Sequence, residues 1–329
     1  MTINWPSFIA DIRAAKNVLI TSHVRPDADA LGSELGMALV LEVLGKQVRI
    51  VNGDATPPNL AFLDAQQRIK QLGRDLQLGD FSGVDLLMIL DTSAWAQLGP
   101  MSDVIKSLAC KKIVLDHHVG EDDLGVTWYK NTSAEAAGRL VAEAAEQLGV
   151  RLTAEMAMPL FAALATDTGW FRFGSATNYT YELAARLIDA GARPAEIYKQ
   201  LYEQDTLGRV RLRGEILSRI TLELDGRLAH THVLKEDFGR LGARPSDTED
   251  VINQALGIKG TQFAVIFVEQ AQGGFKLSFR SRCQVDCNKL AQRFGGGGHK
   301  AAAGAFVQGT LDEVRDRVLT VVREAVAAC

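Results

Sequence analysis

The chain reads as an α/β protein: a parallel sheet with helices on both faces, then a smaller α/β domain, with a cleft between the two. Three observations predict this. In the first half, short and almost wholly apolar segments alternate with longer helical patterns, as expected of strands buried on both faces. Beyond residue 220 the pattern changes to paired strands joined at glycine turns. The 329 residues, 47% hydrophobic, are enough to bury two modest cores.

The elements follow in order. Residues 18–22 (VLITS) form a first strand, and 31–44 a helix with Gly45 in the stop position. Further strands are expected at 48–51, 84–90 and 112–115. Thr132 and Glu135 have the spacing of a capping box, which would open a helix running to residue 148. Helices are expected at 153–166 and 178–189. The charged stretch 194–220 reads as a helical connector, so that 1–193 is one domain and 221–329 another. In the latter, 221–233 is two strands joined at Asp225-Gly226, and 263–268 pairs with 275–279 around Gly273-Gly274. There is no internal repeat; glycines 295–298 are the low-complexity run.

Charge is balanced, with 36 Lys and Arg against 40 Asp and Glu, net −4. A protein that coats long nucleic acid carries a basic excess, so long nucleic acid is excluded as a partner and any nucleotidic substrate is held locally. No apolar run reaches the roughly 18 residues of a membrane span, and the first residues carry no signal-peptide pattern. The four cysteines, Cys110, Cys283, Cys287 and Cys329, are too scattered for a disulfide framework, and Cys283 and Cys287 lack the second pair that a zinc site needs. The expected compartment is the cytoplasm. A homodimer through the first domain is compatible with the sequence and not demanded by it.

Chemistry is concentrated where strands end. In an open parallel sheet, ligands bind beyond the carboxyl ends of the strands. The first strand runs into His23, Asp27 and Asp29; the third ends at Asp91; the fourth ends at Asp116-His117-His118; a helix ends at Asp167. A single Asp at a strand end is usually a cap or a turn former. Four such coincidences at one edge of one sheet point instead to a metal centre. Carboxylates bridge and neutralise divalent cations, and imidazoles favour Mn2+ over Mg2+. Two such ions about 3.5–4 Å apart clamp a phosphoryl group and lower the pKa of a water.

The set His23-x-x-Pro26-Asp27-x-Asp29-x-x-Gly32-Ser33, Asp91, Asp116-His117-His118 and Asp167 resembles the DHH phosphoesterase family. In the second half, Leu277-Ser-Phe-Arg280-Ser281 and Gly296-Gly-Gly298-His299-Lys-Ala-Ala302-Ala-Gly304 resemble the C-terminal domain associated with that family. The resemblance implies that His23, Asp27 and Asp91 hold one metal, and Asp29, Asp91, His117 and Asp167 a second, with Asp91 bridging. It implies Mn2+ as the cofactor, with Mg2+ or Co2+ as substitutes. Asp116 would orient a histidine, as carboxylates beside metal sites commonly do, and His118 would face the substrate phosphate. Successive glycines let backbone N–H groups approach an anion, so Gly296, Gly297, Gly298 and His299, with Arg280 and Ser281, would grip the non-scissile end of the substrate.

Among the branches of that family, single-strand exonucleases usually carry extra DNA-binding domains, pyrophosphatases a different C-terminal domain, and membrane-bound cyclic-dinucleotide phosphodiesterases added transmembrane segments. The stand-alone branch remains. It implies hydrolysis of short RNA oligonucleotides to mononucleotides and of 3′-phosphoadenosine 5′-phosphate (pAp) to AMP and phosphate. The alternative is a stand-alone phosphodiesterase for linear or cyclic dinucleotides. A non-catalytic RNA-binding protein on this fold would normally lack one of the ligands, and none is missing.

Overall fold

The computed structural model describes residues 3–329, which divide after Gln204 into two compact units.

The first unit holds strands β1 (Asn17–Thr21), β2 (Gln47–Asn52), β3 (Ile69–Gln71), β4 (Leu86–Leu90), β5 (Lys111–Asp116) and β6 (Thr127–Lys130). All run parallel, in the order β3-β2-β1-β4-β5-β6. The order reverses between β1 and β4, where Val18 pairs with Leu86; such a reversal opens the crevice in which ligands of doubly wound sheets sit. Successive strand residues face opposite cores. Val18, Ile20, Met88 and Leu90 point into one, Leu19, Leu87 and Ile89 into the other. Helices α1 (Trp5–Ala14), α2 (Ala28–Val43), α3 (Trp95–Leu98), α4 (Met101–Ser107), α5 (Ala137–Gln147), α6 (Ala154–Asp167), α7 (Asn178–Ala190) and α8 (Pro194–Tyr202) complete the unit. The strands expected at 48–51, 84–90 and 112–115 are present within a residue or two. Edge strands β3 and β6, too short to carry an apolar run, escaped the pattern.

One glycine brings the site together. Helices α2 and α6 lie so close at Gly32 that a Cβ there would stand 2.3 Å from the carbonyl oxygen of Pro159. The beginning of α2, with Asp27 and Asp29, and the end of α6, with Asp167, thereby reach the same edge of the sheet. The helix expected to open at a capping box from Thr132 to Glu135 starts later, at Ala137, with no local side-chain cap. Glu135 pairs instead with Arg139 at 2.7 Å. The cap comes from Asp29, more than a hundred residues earlier, a relationship that local spacing does not encode.

The second unit is a mixed sheet in the order β11-β12-β10-β9-β8-β7, from β7 (Thr221–Glu223), β8 (Leu228–Val233), β9 (Phe263–Glu269), β10 (Phe275–Ser281), β11 (Gly297–Gly298) and β12 (Ala302–Val307). Strands β8 and β9 are parallel; the other pairs are antiparallel. Phe263, Val265 and Phe267 face one core, Ala264, Ile266 and Val268 the other. Both glycine turns form: Leu224, Asp225 and Gly226 take left-handed backbone, as do Gly273 and Gly274. The stretch 194–220 holds two helices, α8 and α9 (Leu207–Ser218), the second capped by Thr206, which accepts the N–H of Arg209 at 3.1 Å. Among the described residues, no helix is long and apolar enough to cross a membrane.

Candidate metal centre

The loop after β1 is pinned before it presents its ligand types. Asn52, last residue of β2, accepts the N–H of Ser22 at 3.2 Å and donates to the buried Glu34 at 2.9 Å. Val24 donates to the carbonyl of Gln97 at 2.7 Å. His23 Nδ1 donates to the carbonyl of Val24 at 2.9 Å, which leaves Nε2 3.4 Å from Asp91 Oδ2 and 3.9 Å from Asp27 Oδ1. Asp27 is the N-cap of α2 and accepts the N–H groups of Asp29 and Ala30, both at 3.0 Å. Asp29 is buried in the first turn. Its carboxylate accepts Ala137 N–H at 2.7 Å, Gly138 N–H at 2.8 Å and the Ser33 hydroxyl at 3.3 Å.

Asp91, immediately after β4, holds left-handed backbone, φ 59°, a conformation that Asp and Asn tolerate better than other non-glycine residues. The turn swings its carboxylate across the end of β1. Asp91 is buried, and among the described residues its Oδ1 has no hydrogen-bond partner of good geometry, although His117 Nε2 lies 3.2 Å away. The His117 ring is fixed by its other nitrogen, Nδ1, which donates to the carbonyl of Ala134 at 3.2 Å. Its Nε2 also stands 3.7 Å from Asp29 Oδ2 and 3.7 Å from Asp167 Oδ2.

Asp116 is fully buried at the end of β5 and divides its oxygens. Oδ1 accepts His117 N–H at 2.8 Å, His118 N–H at 3.2 Å and His118 Nδ1 at 2.8 Å. Oδ2 accepts the Ser93 hydroxyl and faces the Lys130 ammonium at 3.7 Å. With every oxygen engaged, Asp116 acts on the imidazoles beside it.

Three groups of side chains bring their ligand atoms within 4.8 Å of one another: His23, Asp27 and Asp91; Asp29, His117 and Asp167; and Asp91, Asp116, His117 and His118. The sequence-predicted residues of the first half are thus assembled at one edge of the sheet. The electrostatics point the same way. Burial would lower His23 and His117, but the carboxylates around them, Asp91 foremost, push them up to about 9 and about 10. Burial, then Asp91 and Asp167, holds Asp29 well above the usual carboxylate range, and burial pushes Asp167 up to about 6. Burial would raise Asp91, yet His117 and His23 outweigh it and keep it below the ordinary value. A crowd of carboxylates with an orphaned carboxylate oxygen at its middle and imidazole nitrogens aimed inward fits divalent cations.

In the second unit, Arg280 lies on β10 and donates to the carbonyl of Phe279 at 3.1 Å; Ser281 donates to that of Cys283 at 3.2 Å. The glycines have a structural duty that the sequence reading did not foresee. Gly297 and Gly298 form β11, and at Gly296 a Cβ would stand 2.1 Å from the carbonyl oxygen of Gly304. Two of their N–H groups are already engaged: Gly296 donates to Ala291 at 2.9 Å, and Gly298 to Asn288 Oδ1 at 3.1 Å. The run is therefore the first strand of a tight hairpin, closed by His299 N–H to Ala302 at 2.7 Å, with His299 and Lys300 exposed at its tip.

Sequence reasoning missed Asn52, Glu34, Ser93 and Lys130, which hold the ligand types in place. Asn52 was within reach, because it ends a predicted strand at the same edge. Glu34 sits inside an apolar helix pattern, and nothing local marks its burial, which pushes its carboxyl up to about 7.

The comparisons with known proteins agree with this geometry. Residues 17–166 match the DHH family, N-terminal domain, and residues 227–328 the DHHA1 domain. The chain is 33% identical over 309 residues to the bifunctional oligoribonuclease and PAP phosphatase NrnA of Thermus thermophilus, covering 93% of this chain and 89% of the relative. A crystal structure of an exopolyphosphatase-related protein from Bacteroides fragilis superposes with a TM-score of 0.85 at 27% identity, over 98% of this chain and 95% of that one. The exonuclease RecJ, crystallised bound to manganese, shares the fold at a TM-score of 0.54 and 14% identity, over 99% and 95%. With the DHH model matched over the stretch that carries the strand-end carboxylates and imidazoles, the DHHA1 model over the second half, and 89% of the Thermus relative covered at 33% identity, the chain belongs to the DHH family.

Proposed function

We propose that the chain is a two-metal-ion phosphoesterase that hydrolyses short RNA oligonucleotides to mononucleotides and pAp to AMP and phosphate, in the cytoplasm. The observation that carries this reading is Asp91: a buried carboxylate with one unpartnered oxygen, between two imidazoles whose other nitrogens are tied to backbone. His23, Asp27 and Asp91 would hold one cation and Asp29, Asp91, His117 and Asp167 the other, with Asp91 common to both sets. The imidazoles favour Mn2+, with Mg2+ and Co2+ as substitutes; the manganese in RecJ, a protein of the same fold, supports this. Two such cations supply Lewis-acid charge to the phosphoryl oxygens and lower the pKa of a water.

The side chains do the rest. Asp116 accepts from His118 Nδ1 and thereby favours the protonated ring, raising it above the ordinary histidine value, and the Nε2–H of that half-exposed imidazolium can donate to a phosphate oxygen or protonate the leaving oxygen. In the second unit, the hairpin built on Gly296, Gly297 and Gly298 carries His299, which with Arg280 and Ser281 holds the anionic end that is not cleaved. The two activities in the name of the Thermus relative support the choice of substrates.

The test is a Mn2+-dependent product time course on pAp and on labelled RNA from a dinucleotide to about two dozen nucleotides. Hydrolysis of pAp with fastest loss of the shortest RNAs is expected. Activity confined to linear or cyclic dinucleotides, with pAp untouched, would move the chain to the dinucleotide phosphodiesterase branch.

A further inference from the structure

Immediately after Asp167 the backbone does something costly. Gly169, Trp170 and Phe171 are successive left-handed residues, with φ of 57°, 60° and 63°. Glycine takes this conformation freely; bulky aromatic residues do not. The turn is nevertheless over-determined. Arg172 and Phe173 both donate to the carbonyl of Thr168 at 3.0 Å, and Phe171 N–H to the Thr168 hydroxyl at 3.1 Å. Beneath it, Trp170 and Phe171 pack on Phe161, with ring centroids 6.1 and 5.9 Å away. Strain held this firmly beside a reactive centre points to a use for what the turn displays.

What it displays is Phe173. Its ring lies on Gly169, against the position a Cβ would occupy at 2.4–2.7 Å, and the residue is 52% exposed. Among the described residues it packs on no other aromatic ring, unlike its neighbours in the turn. The Arg172 guanidinium stands beside it, 5.7 Å from the ring centroid, with Nε donating to the carbonyl of Gly169 at 2.7 Å and no carboxylate partner among the described residues. Gly169 is two residues from Asp167, so the two Cα atoms are within about 7.6 Å of each other. An exposed ring and an exposed guanidinium plane, side by side on a rigid turn next to a phosphate-cleaving centre, have the chemistry that holds an unstacked base.

We propose that Phe173, flanked by Arg172, is the base-stacking platform for the nucleotide whose phosphate is cleaved. This rests on the reading of the centre as a nucleotide phosphoesterase and deepens it. Stacking tolerates any base and adds binding that base-free phosphate esters cannot obtain. The aromatic character is the point: Leu in place of Phe173 keeps apolar bulk over Gly169 but removes the π face.

The experiment compares kcat/KM on pAp with kcat/KM on ribose 3,5-bisphosphate, the same molecule without adenine, for the wild-type chain and for Phe173→Leu, Phe173→Ala and Phe173→Trp, all loaded with Mn2+. In the wild type the ratio should favour pAp. Both Phe173→Leu and Phe173→Ala should collapse the ratio by roughly ten- to a hundredfold, mainly through KM, while Phe173→Trp keeps it. A wild type indifferent to adenine, or a Phe173→Leu variant with an unchanged ratio, overturns the platform while leaving the phosphoesterase intact. A wild type inactive on both bisphosphates and on short RNA overturns the functional reading, and the platform with it.

Discussion

Asp29 caps a helix that begins more than a hundred residues later: its carboxylate accepts the N–H groups of Ala137 and Gly138 at 2.7 and 2.8 Å. Its Oδ2 also faces His117 Nε2 at 3.7 Å, so one side chain serves both the fold and the proposed second cation. Asp29→Ala should therefore destabilise even the metal-free protein, by about 1–3 kcal/mol, because two buried N–H groups lose their acceptor. Asp167→Ala should not, since among the described residues its carboxylate is the acceptor of no backbone N–H and faces only the His117 imidazole, at 3.7 Å. Thermal melts in EDTA separate the two variants, and calorimetric Mn2+ titration should show weakened binding in both. Equal melting points would remove the structural role from Asp29.

Asp91 combines a left-handed backbone with the central carboxylate. Asparagine tolerates that backbone and alanine does not. Asp91→Asn and Asp91→Ala should both reduce turnover to near background. The alanine variant should also be less stable than the asparagine variant by about 1 kcal/mol in urea melts. Near-normal turnover of either variant at saturating Mn2+ would rule out Asp91 as the bridge.

Protons and cations compete for this centre. In the metal-free protein His23 is raised to about 9 and His117 to about 10, from an unfolded value near 6.5. A group raised on folding stabilises fully below its unfolded pKa, and that contribution is lost as pH climbs through the folded one. Stability in EDTA should therefore fall between about pH 6.5 and 10. Cation binding needs the neutral imidazoles, so Mn2+ affinity should rise over the same interval and binding should release protons. Titration in buffers of different ionisation enthalpy measures that release; a pH-independent affinity would contradict it.

His299 stands at the tip of the hairpin in the second unit, remote in sequence from every proposed cation ligand. His299→Ala should raise KM for pAp and short RNA with little change in kcat or in Mn2+ content by elemental analysis. Loss of metal would show that its place has been misjudged.

Much of this was legible before the fold was known. The strand ends that deliver His23, Asp91 and Asp116 announce themselves through buried apolar runs that stop at a carboxylate or an imidazole. What stayed hidden is what depends on contacts distant in sequence. The cap on α5 comes from Asp29, so the local Thr132 to Glu135 spacing misled. The glycines at 296–298 read as an anion-binding run, and their close backbone approach to strand β12, itself unrecognised in the sequence, was not visible there. Ser93 and Lys130 converge on Asp116 only once β4 and β6 lie on either side of β5.

The sheet order has a consequence for biosynthesis. The site straddles the reversal between β1 and β4, and its six proposed ligands all lie at or before Asp167 in a chain of 329 residues. Domains fold as units as they leave the ribosome, N-terminal first. A nascent chain that has emerged through the first compact unit, to Gln204, already holds every proposed cation ligand, so a divalent cation finds its full candidate set before the hairpin that carries His299 has left the ribosome.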